Sequence, residues 1–259
     1  MTWDRMQELL WPATWETLGM VGIAGLATLA IGLPLGLLLV LTDKGGLLQN
    51  LAVSRVLGVI VNVGRSIPFV ILIVAVVPFT KLFTGTSLGW QAATVPLAIG
   101  AIPFFARLVE TALREVSGGL VEALKAMGAG TGTIVRKTLL PESLPSLVSA
   151  VTTTLIAMIG YSTMAGVVGG GGLGDLAVRY GYQRFETAFM WVIVAELVII
   201  VTALQLLGDL IARRLSHRGN YRSPLSLFRS AKAAKAAPRA EKSAEESTEA
   251  IEEDLVSSH

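Results

Sequence analysis

The chain has 259 residues, of which 53% are hydrophobic and only 15% are charged, and its formal net charge is +2. Soluble domains carry about 25% charged residues, so this composition disfavours a soluble protein. The sequence contains no cysteine and two histidines, His217 and His259. It therefore excludes disulfide frameworks and Cys/His zinc sites, and it predicts neither a catalytic nor a metal-binding residue in this chain.

Five long stretches of the chain carry at most one charged residue each. A helix needs about 20 mostly apolar residues to cross the hydrocarbon core of a bilayer, and every stretch is long enough. The sequence therefore predicts an all-α membrane protein with five transmembrane helices. The predicted spans are residues 17–42, 57–80, 82–106, 143–168 and 187–208.

The two ends of the chain lie outside the predicted membrane domain at 17–212. Residues 1–16 carry three acidic side chains against one arginine, and the run that follows is longer than the apolar part of a signal peptide. We interpret that run as a retained helix preceded by an external segment. The tail at 213–259 is first basic and then acidic, and from about residue 230 it has almost no large apolar side chains, so we predict that it is disordered.

Lysine and arginine are distributed unevenly between the two sides of the predicted bundle. The loop at 42–55, the loop at 107–142 and the tail share one side and hold 16 basic residues, whereas the other side holds 4. Basic residues accumulate on the cytoplasmic side of membrane proteins. The sequence therefore predicts an external N-terminus and a cytoplasmic C-terminus.

The segment at 107–142 is the longest predicted internal loop, and it has helical periodicity. Glycines at 128, 130 and 132 interrupt the pattern, and a second short helix, roughly 133–140, runs into Pro141. We predict a helix–turn–helix on the cytoplasmic face, whose apolar stripe covers its own bundle, the membrane surface or a partner. The stripe consists of Leu113, Val116, Leu120, Leu124 and Met127.

This segment resembles the cytoplasmic loop of ABC-importer permeases, which reads E-A-A, three residues, G, nine residues, I-x-L-P. The chain has Glu122-Ala123-Leu124, then Gly128, then Leu140-Pro141 at that spacing. It departs from the pattern where Leu124 replaces the third alanine and where Thr138 replaces isoleucine. The resemblance implies that the permease contacts an ATPase through Glu122, Ala123, Leu124, Gly128, Leu140 and Pro141.

Within that family, roughly residues 15–215 resemble the methionine-uptake permeases. The stretches that carry this resemblance are RSIPF at 65–69, GTS at 85–87, GYS at 160–162 and the glycine run at 169–174. The resemblance implies a non-enzymatic inner-membrane subunit that imports L- and D-methionine as a homodimer, with two ATPase subunits and an external binding lipoprotein. It implies no cofactor on this chain, because ATP and Mg²⁺ would bind to the ATPase.

Other functions stay open on the residues alone. A sibling importer for another small amino acid or an osmolyte would share these motifs. A secondary transporter would need coupling carboxylates and inverted repeats, and Glu196 is the only acidic residue inside a predicted span. No G-x-x-x-x-G-K-[ST] motif is present, so this chain cannot itself hold ATP phosphates. We expect contact with the lipid bilayer and no nucleic-acid partner.

Coupling to an ATPase requires a rigid helix that is firmly joined to the membrane helices. Gly128 would let the chain turn close to the partner surface. Glu122 would cap a helix or meet an arginine of the ATPase, and Pro141 would set the direction of the chain into the fourth span. The alternative is a pair of interfacial helices that lie on lipid.

Five residues are candidates for lining the translocation path. Arg65 lies in the second span, less than halfway from its cytoplasmic end, and Pro68 would kink that helix shortly afterwards. The alternatives for Arg65 are snorkelling to the cytoplasmic interface and pairing within the bundle. The polar or soft side chains of the fourth span, which packing would also explain, complete the set: Arg65, Pro68, Tyr161, Ser162 and Met164.

Glycines and one acidic residue give three further predictions. Gly32 and Gly36 form a G-x-x-x-G pattern, which favours close helix packing within the subunit or across a dimer. The run at 169–174 contains G-x-G-x-x-G, but without a βαβ unit around it we predict a flexible external turn rather than a dinucleotide site. Glu196 is interpreted as a protonated carboxyl bonded to a neighbouring helix or as a proton-coupled group.

Overall fold

The computed structural model describes residues 3–216, and every regular element within them is helical. Two π-helical turns, Val135–Leu139 and Ala177–Tyr182, interrupt the α-helices. The α-helices are α1 (Trp3–Thr42), α2 (Leu51–Ser66), α3 (Phe69–Ala75), α4 (Val77–Thr84), α5 (Trp90–Arg114), α6 (Gly118–Ala126), α7 (Thr131–Ile134), α8 (Leu140–Val167), α9 (Gly172–Leu176) and α10 (Thr187–Leu215).

Four of the described helical stretches are long and apolar enough to cross a membrane, and a bent pair makes a fifth. The four are Trp3–Thr42, Trp90–Arg114, Thr131–Val167 and Thr187–Leu215. They contain or overlap four of the predicted spans, but they extend further, because charged residues end an apolar run without ending a helix. Residues 3–16, predicted as a separate external segment, are the first turns of α1. Of the tail at 213–259, α10 includes the residues up to Leu215, and residues 217–259 lie outside the described part.

The predicted span at 57–80 is not one straight helix. α2 ends at Ser66, and α3 leaves it at an angle of 102°. Pro68 stands directly before α3 and cannot donate the backbone hydrogen bond that would continue α2. The kink predicted at this proline is therefore a nearly perpendicular break, and α4 follows as a third short piece.

The predicted span at 82–106 is displaced along the chain. α4 ends at Thr84 and is followed by Gly85, which has φ +73°, and α5 begins after Gly89, which has φ +89°. Glycine adopts these left-handed conformations without a steric penalty, so the two residues separate the helices. α5 then continues to Arg114, eight residues beyond the predicted end of the span.

α1 and α5 form the central helix pair of the bundle. A Cβ atom at Gly32 would lie 2.8 Å from Phe105 Cδ1, and one at Gly36 would lie 2.5 Å from the Ala106 carbonyl oxygen. The G-x-x-x-G pattern thus brings two backbones together within the subunit, which was one of the two predicted alternatives. α5 also packs against α2 and α8, so it connects the broken helix to the rest of the bundle.

The glycine run at 169–174 is a turn that is seated on α1. Gly169, Gly171 and Gly172 all have positive φ, between 73° and 85°. The Gly172 N–H donates a hydrogen bond to Glu16 Oε2 over 2.8 Å, and the Leu173 N–H donates one to Thr17 Oγ1 over 2.9 Å. α1 therefore satisfies the backbone donors at the start of α9 and anchors this end of the turn, whose flexibility stays a prediction.

Candidate functional site

The first helix of the predicted helix–turn–helix, which carries the stripe from Leu113 to Met127, is divided between two helices in the structure. Leu113 belongs to α5 and is buried, and the chain then turns at Glu115–Ser117 before α6 begins. The predicted stripe is divided by this turn. Leu124 faces the bundle, whereas Leu120 and Met127 are 42% and 73% exposed.

α6 has an inner face that anchors it and an outer face that is free of contacts within the described chain. Val121 and Leu124 pack against a buried cluster formed by α1, α5, α7, the π turn at Val135–Leu139 and α8. Glu122 and Ala123 are exposed on the outer face, and among residues 3–216 the Glu122 side chain has no hydrogen bond or ion pair. The predicted cap by Glu122 is therefore absent from the described part of the chain, and its carboxylate is available to a partner.

Gly128 ends α6 in a left-handed turn. Its φ is +79°, its N–H donates to the Lys125 carbonyl over 2.9 Å, and the Ala129 N–H donates to the Leu124 carbonyl over 3.0 Å. These two bonds form a Schellman motif, which favours glycine at the left-handed position. A Cβ at Gly128 would meet nothing within 4 Å, so its backbone conformation rather than crowding requires glycine there.

The segment after this turn runs without a break into the membrane helix. Thr131–Val167 forms one continuous helical stretch of 37 residues, which contains the π turn. The Leu140 N–H donates to the Val135 carbonyl, one residue further back than in an α-helix. The short helix predicted at 133–140 therefore does not end at Pro141. Leu140 packs against the buried cluster, and Pro141 is exposed in the first turn of α8.

Polar contacts brace the end of α5 from which α6 starts. Ser146 Oγ on α8 donates a hydrogen bond to Glu115 Oε2 over 2.5 Å. On the opposite side, Arg114 donates to Asp43 Oδ2 over 2.5 Å and to Glu110 Oε1 over 2.9 Å. The start of α6 is thus tied to both α1 and α8, as a mechanical link to the membrane helices requires.

The break between α2 and α3 opens a cavity of about 370 Å³. Three of the five residues predicted for the translocation path line it, namely Arg65, Pro68 and Tyr161. Arg65 is the fifteenth residue of α2, so at 1.5 Å per residue it lies about 21 Å along that helix, in its last turn. Phe69, Leu72 and Phe104 supply apolar walls, which the sequence did not single out.

The other two candidates for the path lie elsewhere. Ser162 is buried at 2% exposure, and its hydroxyl donates to the Ile159 carbonyl of its own helix over 2.7 Å. Met164 is 45% exposed and does not line the cavity. Among residues 3–216, no group of three His, Asp or Glu side chains could hold a metal ion.

Comparison with known proteins identifies the family. Residues 32–219 match the family model described as "Binding-protein-dependent transport system inner membrane component". The chain belongs to this family. The family's description places such proteins in the inner membrane, which agrees with the long apolar helices of the described chain.

Similar members of the family are known from several bacteria. The protein named "Probable D-methionine transport system permease protein MetI" from Vibrio cholerae is 54% identical over 82% of this chain and 94% of its own length. "Methionine import system permease protein MetP" from Bacillus subtilis is 51% identical over 81% and 94%. A solved chain of the MetNI methionine ABC transporter in an inward-facing conformation has a TM-score of 0.81 and 49% identity over 83% of this chain and 99% of that one.

Proposed function

We propose that this chain is the membrane-spanning permease subunit of an ATP-driven importer that moves L- and D-methionine into the cell. The observation that carries the proposal is the geometry of α6. α6 is a short helix with an exposed outer face that is free for a partner, and it ends at the left-handed Gly128. After this turn, the chain continues into a helical stretch of 37 residues that is long enough to cross a membrane. The similarity to chains named as methionine permeases supports the substrate.

The proposed assembly contains two copies of this chain, two ATPase subunits and an external binding lipoprotein. α6 docks on the ATPase through its outer face, where Glu122, Ala123 and Met127 are exposed. ATP and Mg²⁺ bind to the ATPase, and this subunit breaks no bond. The excess of lysine and arginine on the side that carries α6 supports a cytoplasmic position for α6 and an external N-terminus.

The proposed mechanism is transmission of a movement through rigid contacts. When the ATPase subunits close, they displace α6. Val121 and Leu124 pass this displacement to the buried cluster, and the helical stretch Thr131–Val167 passes it directly into the membrane. The ties from Asp43 to Arg114 and from Glu115 to Ser146 move α1 and α8 together with α5. The bundle then alternates between inward and outward access.

A secondary transporter receives less support from the structure. Glu196 is half-buried in α10 and accepts a hydrogen bond from Thr14 of α1. A carboxylate that is engaged between two helices suits a structural contact better than a mobile proton carrier. A sibling importer for another small amino acid or an osmolyte differs from the proposal in its substrate only, and the same uptake assay separates the two.

The test is uptake of labelled L- and D-methionine by a strain from which this gene is deleted. We expect uptake to fall on deletion, to return with the wild-type gene and to stay low with Gly128→Asp, although that variant is still found in the membrane. Aspartate at this position adds a charged side chain to the outward turn at a φ of +79°.

Gly132→Asp is the matched control, because Gly132 has open space around it and no positive φ. We expect this control to restore uptake. Full uptake with Gly128→Asp would contradict the coupling role of the turn. Uptake of a different solute, with methionine uptake unchanged by the deletion, would contradict the substrate.

A further inference from the structure

Arg65 is an exposed charged side chain in the last turn of α2, within an otherwise uncharged apolar run, and it has no partner in the described part of the chain. Among residues 3–216, no hydrogen bond, ion pair or ring contact involves it. The sequence from Lys44 to Val109 contains no aspartate or glutamate. Charged groups at membrane depth are paired or line a pathway, so the guanidinium requires an anion from elsewhere.

Three acidic side chains of the described helices already have partners within the chain. Glu16 accepts a hydrogen bond from the Gly172 N–H, and Glu196 accepts one from Thr14. Glu110 is engaged by Arg107 and Arg114. The unpaired charge faces the cavity instead.

The cavity beside Arg65 combines this charge with aromatic walls. The rings of Phe69 and Tyr161 stack with their centroids 4.7 Å apart and an interplanar angle of 21°. Gly100 lets α3 pack closely against α5 beside the cavity, because a Cβ there would lie 3.1 Å from Leu72 Cδ2 and 3.3 Å from Phe69 Cδ2. The volume of about 370 Å³ lies in the range of small-molecule sites, about 300–1,000 Å³.

We infer that this cavity binds the amino acid in transit, with Arg65 holding the carboxylate and the Phe69–Tyr161 ring pair contacting an apolar side chain. The inference deepens the proposed function and rests on it. Arginine binds carboxylates through two parallel N–H donors. Aromatic rings also make favourable contacts with a thioether sulfur.

The residues that line the cavity determine which ligands the site can distinguish. Its described lining holds one positive charge and no acidic side chain, so the α-ammonium group of the ligand finds no ionic partner there. A ligand held by its carboxylate and its side chain alone is fixed at two points, which does not discriminate between mirror-image forms. We therefore expect similar binding of L- and D-methionine, and of 4-(methylthio)butanoate, which lacks the amine. Methioninol, which lacks the carboxylate, binds weakly.

The experiment is saturation-transfer NMR on the purified permease–ATPase complex in nanodiscs of neutral phosphatidylcholine, with these four compounds as probes. Arg65→Gln is compared with wild type and with Arg55→Gln, which removes the same charge from α2 at a position that does not line the cavity. We expect Arg65→Gln to weaken binding of the three carboxylates by about tenfold or more and to leave methioninol unchanged. Arg55→Gln should match wild type, and Arg65→Lys should lie between wild type and Arg65→Gln.

Two outcomes overturn the inference. In the first, Arg65→Gln binds methionine as wild type does, or methioninol binds as well as methionine. In the second, methionine binding is insensitive to Arg65, but wild type binds phosphatidylglycerol more than Arg65→Gln does when that lipid is added, which assigns Arg65 to a lipid phosphate. If Arg65→Gln does not assemble, the Arg65→Lys comparison decides. Uptake of methionine by the wild-type protein tests the proposed function separately. The proposed function and the inferred binding site can therefore fail independently of each other.

Discussion

Arg114, the last residue of α5, donates a hydrogen bond from Nη2 to Oδ2 of Asp43, in the turn after α1, over 2.5 Å. The same guanidinium also binds Glu110, which is 6% exposed, so it joins carboxylates from two different elements. α6 begins only four residues after Arg114. The contact therefore ties α1 to the point from which the proposed coupling helix leaves the bundle.

The Asp43–Arg114 contact predicts a pH dependence of stability. The Arg114 hydrogen bond, assisted by the Lys44 backbone N–H, holds the pKa of Asp43 below its usual value, although burial acts in the opposite direction. Because the pKa is lower in the folded state, ionised Asp43 stabilises the fold above its unfolded-state pKa of about 3.9. That contribution is lost as the pH falls through the folded-state pKa.

Thermal unfolding of the purified protein between about pH 3 and pH 7 measures this contribution. Both partners are partly exposed, so we expect Asp43→Asn to lower the free energy of unfolding near neutral pH by less than about 1 kcal/mol. The difference from wild type should disappear in acid. Glu142→Gln removes an exposed carboxylate that has no ion pair within the described residues, and it should show no such pattern. A difference that persists in acid would contradict the prediction.

Gly172 allows a test of the turn that is seated on α1. Gly172→Ala places a Cβ 2.6 Å from Thr17 Oγ1 at a φ of +74°. Left-handed backbone alone costs about 1–2 kcal/mol for a residue other than glycine, and the close contact adds to it, so we expect a loss of about 2 kcal/mol or more in thermal unfolding. Gly22→Ala, at a helical position with nothing within 4 Å, should be neutral or stabilising. Equal effects of the two variants would count against the seated turn.

Gly128 and Gly132 form a second matched pair, in the coupling segment. Gly128→Ala strains the left-handed turn by about 1–2 kcal/mol, whereas Gly132→Ala replaces a helical glycine and should be neutral or stabilising. Because strain in the turn reorients α6 relative to Thr131–Val167, we expect Gly128→Ala to lower transport per ATP hydrolysed. The measurement is the ratio of methionine uptake to ATP hydrolysis in proteoliposomes. An unchanged ratio of uptake to ATP hydrolysis in Gly128→Ala would contradict a role of this turn in coupling.

The sequence predicts the helical membrane architecture because bilayer thickness fixes the length of apolar runs. The sequence does not predict the direction of each helix. Residues 57–80 form one apolar run, yet the chain turns by 102° before Phe69. The residues that line the cavity show the same limit of prediction from sequence. Arg65 and Pro68 stand out as a charge and a helix breaker in an apolar run, but Phe104 does not, because only packing of α2, α5 and α8 brings it to Tyr161.

The coupling segment shows why periodicity alone was misleading there. Leu113 and Leu124 share a helical spacing, but the chain turns between them at Glu115–Ser117, so they lie on different helices. The sequence predicts a short helix at 133–140 that runs into Pro141, which sets the direction of the chain into the fourth span. The π turn at Val135–Leu139 precedes Pro141, and the helix continues through the proline. A proline in the first turn of a helix and one that stops a helix look the same in sequence.

Thr14 and Glu196 give a prediction that separates a structural carboxyl from a proton carrier. The Thr14 hydroxyl of α1 has two acceptors for its single proton, the half-buried Glu196 carboxyl of α10 and the Leu10 carbonyl at 2.8 Å. Thr14→Val removes this donor, so we expect a loss of about 1–3 kcal/mol in thermal unfolding. Thr14→Ser keeps the hydroxyl and should resemble wild type.

Glu196→Gln tests the same contact from the other side. Its amide oxygen still accepts from Thr14, so a structural role predicts that ATP-driven uptake of methionine and its pH dependence stay close to those of wild type. A proton-coupled role predicts the reverse, because glutamine cannot release a proton. If Glu196→Gln assembles normally with the ATPase but no longer transports, Glu196 takes part in the transport cycle, and a mechanism driven by movement of α6 alone is incomplete.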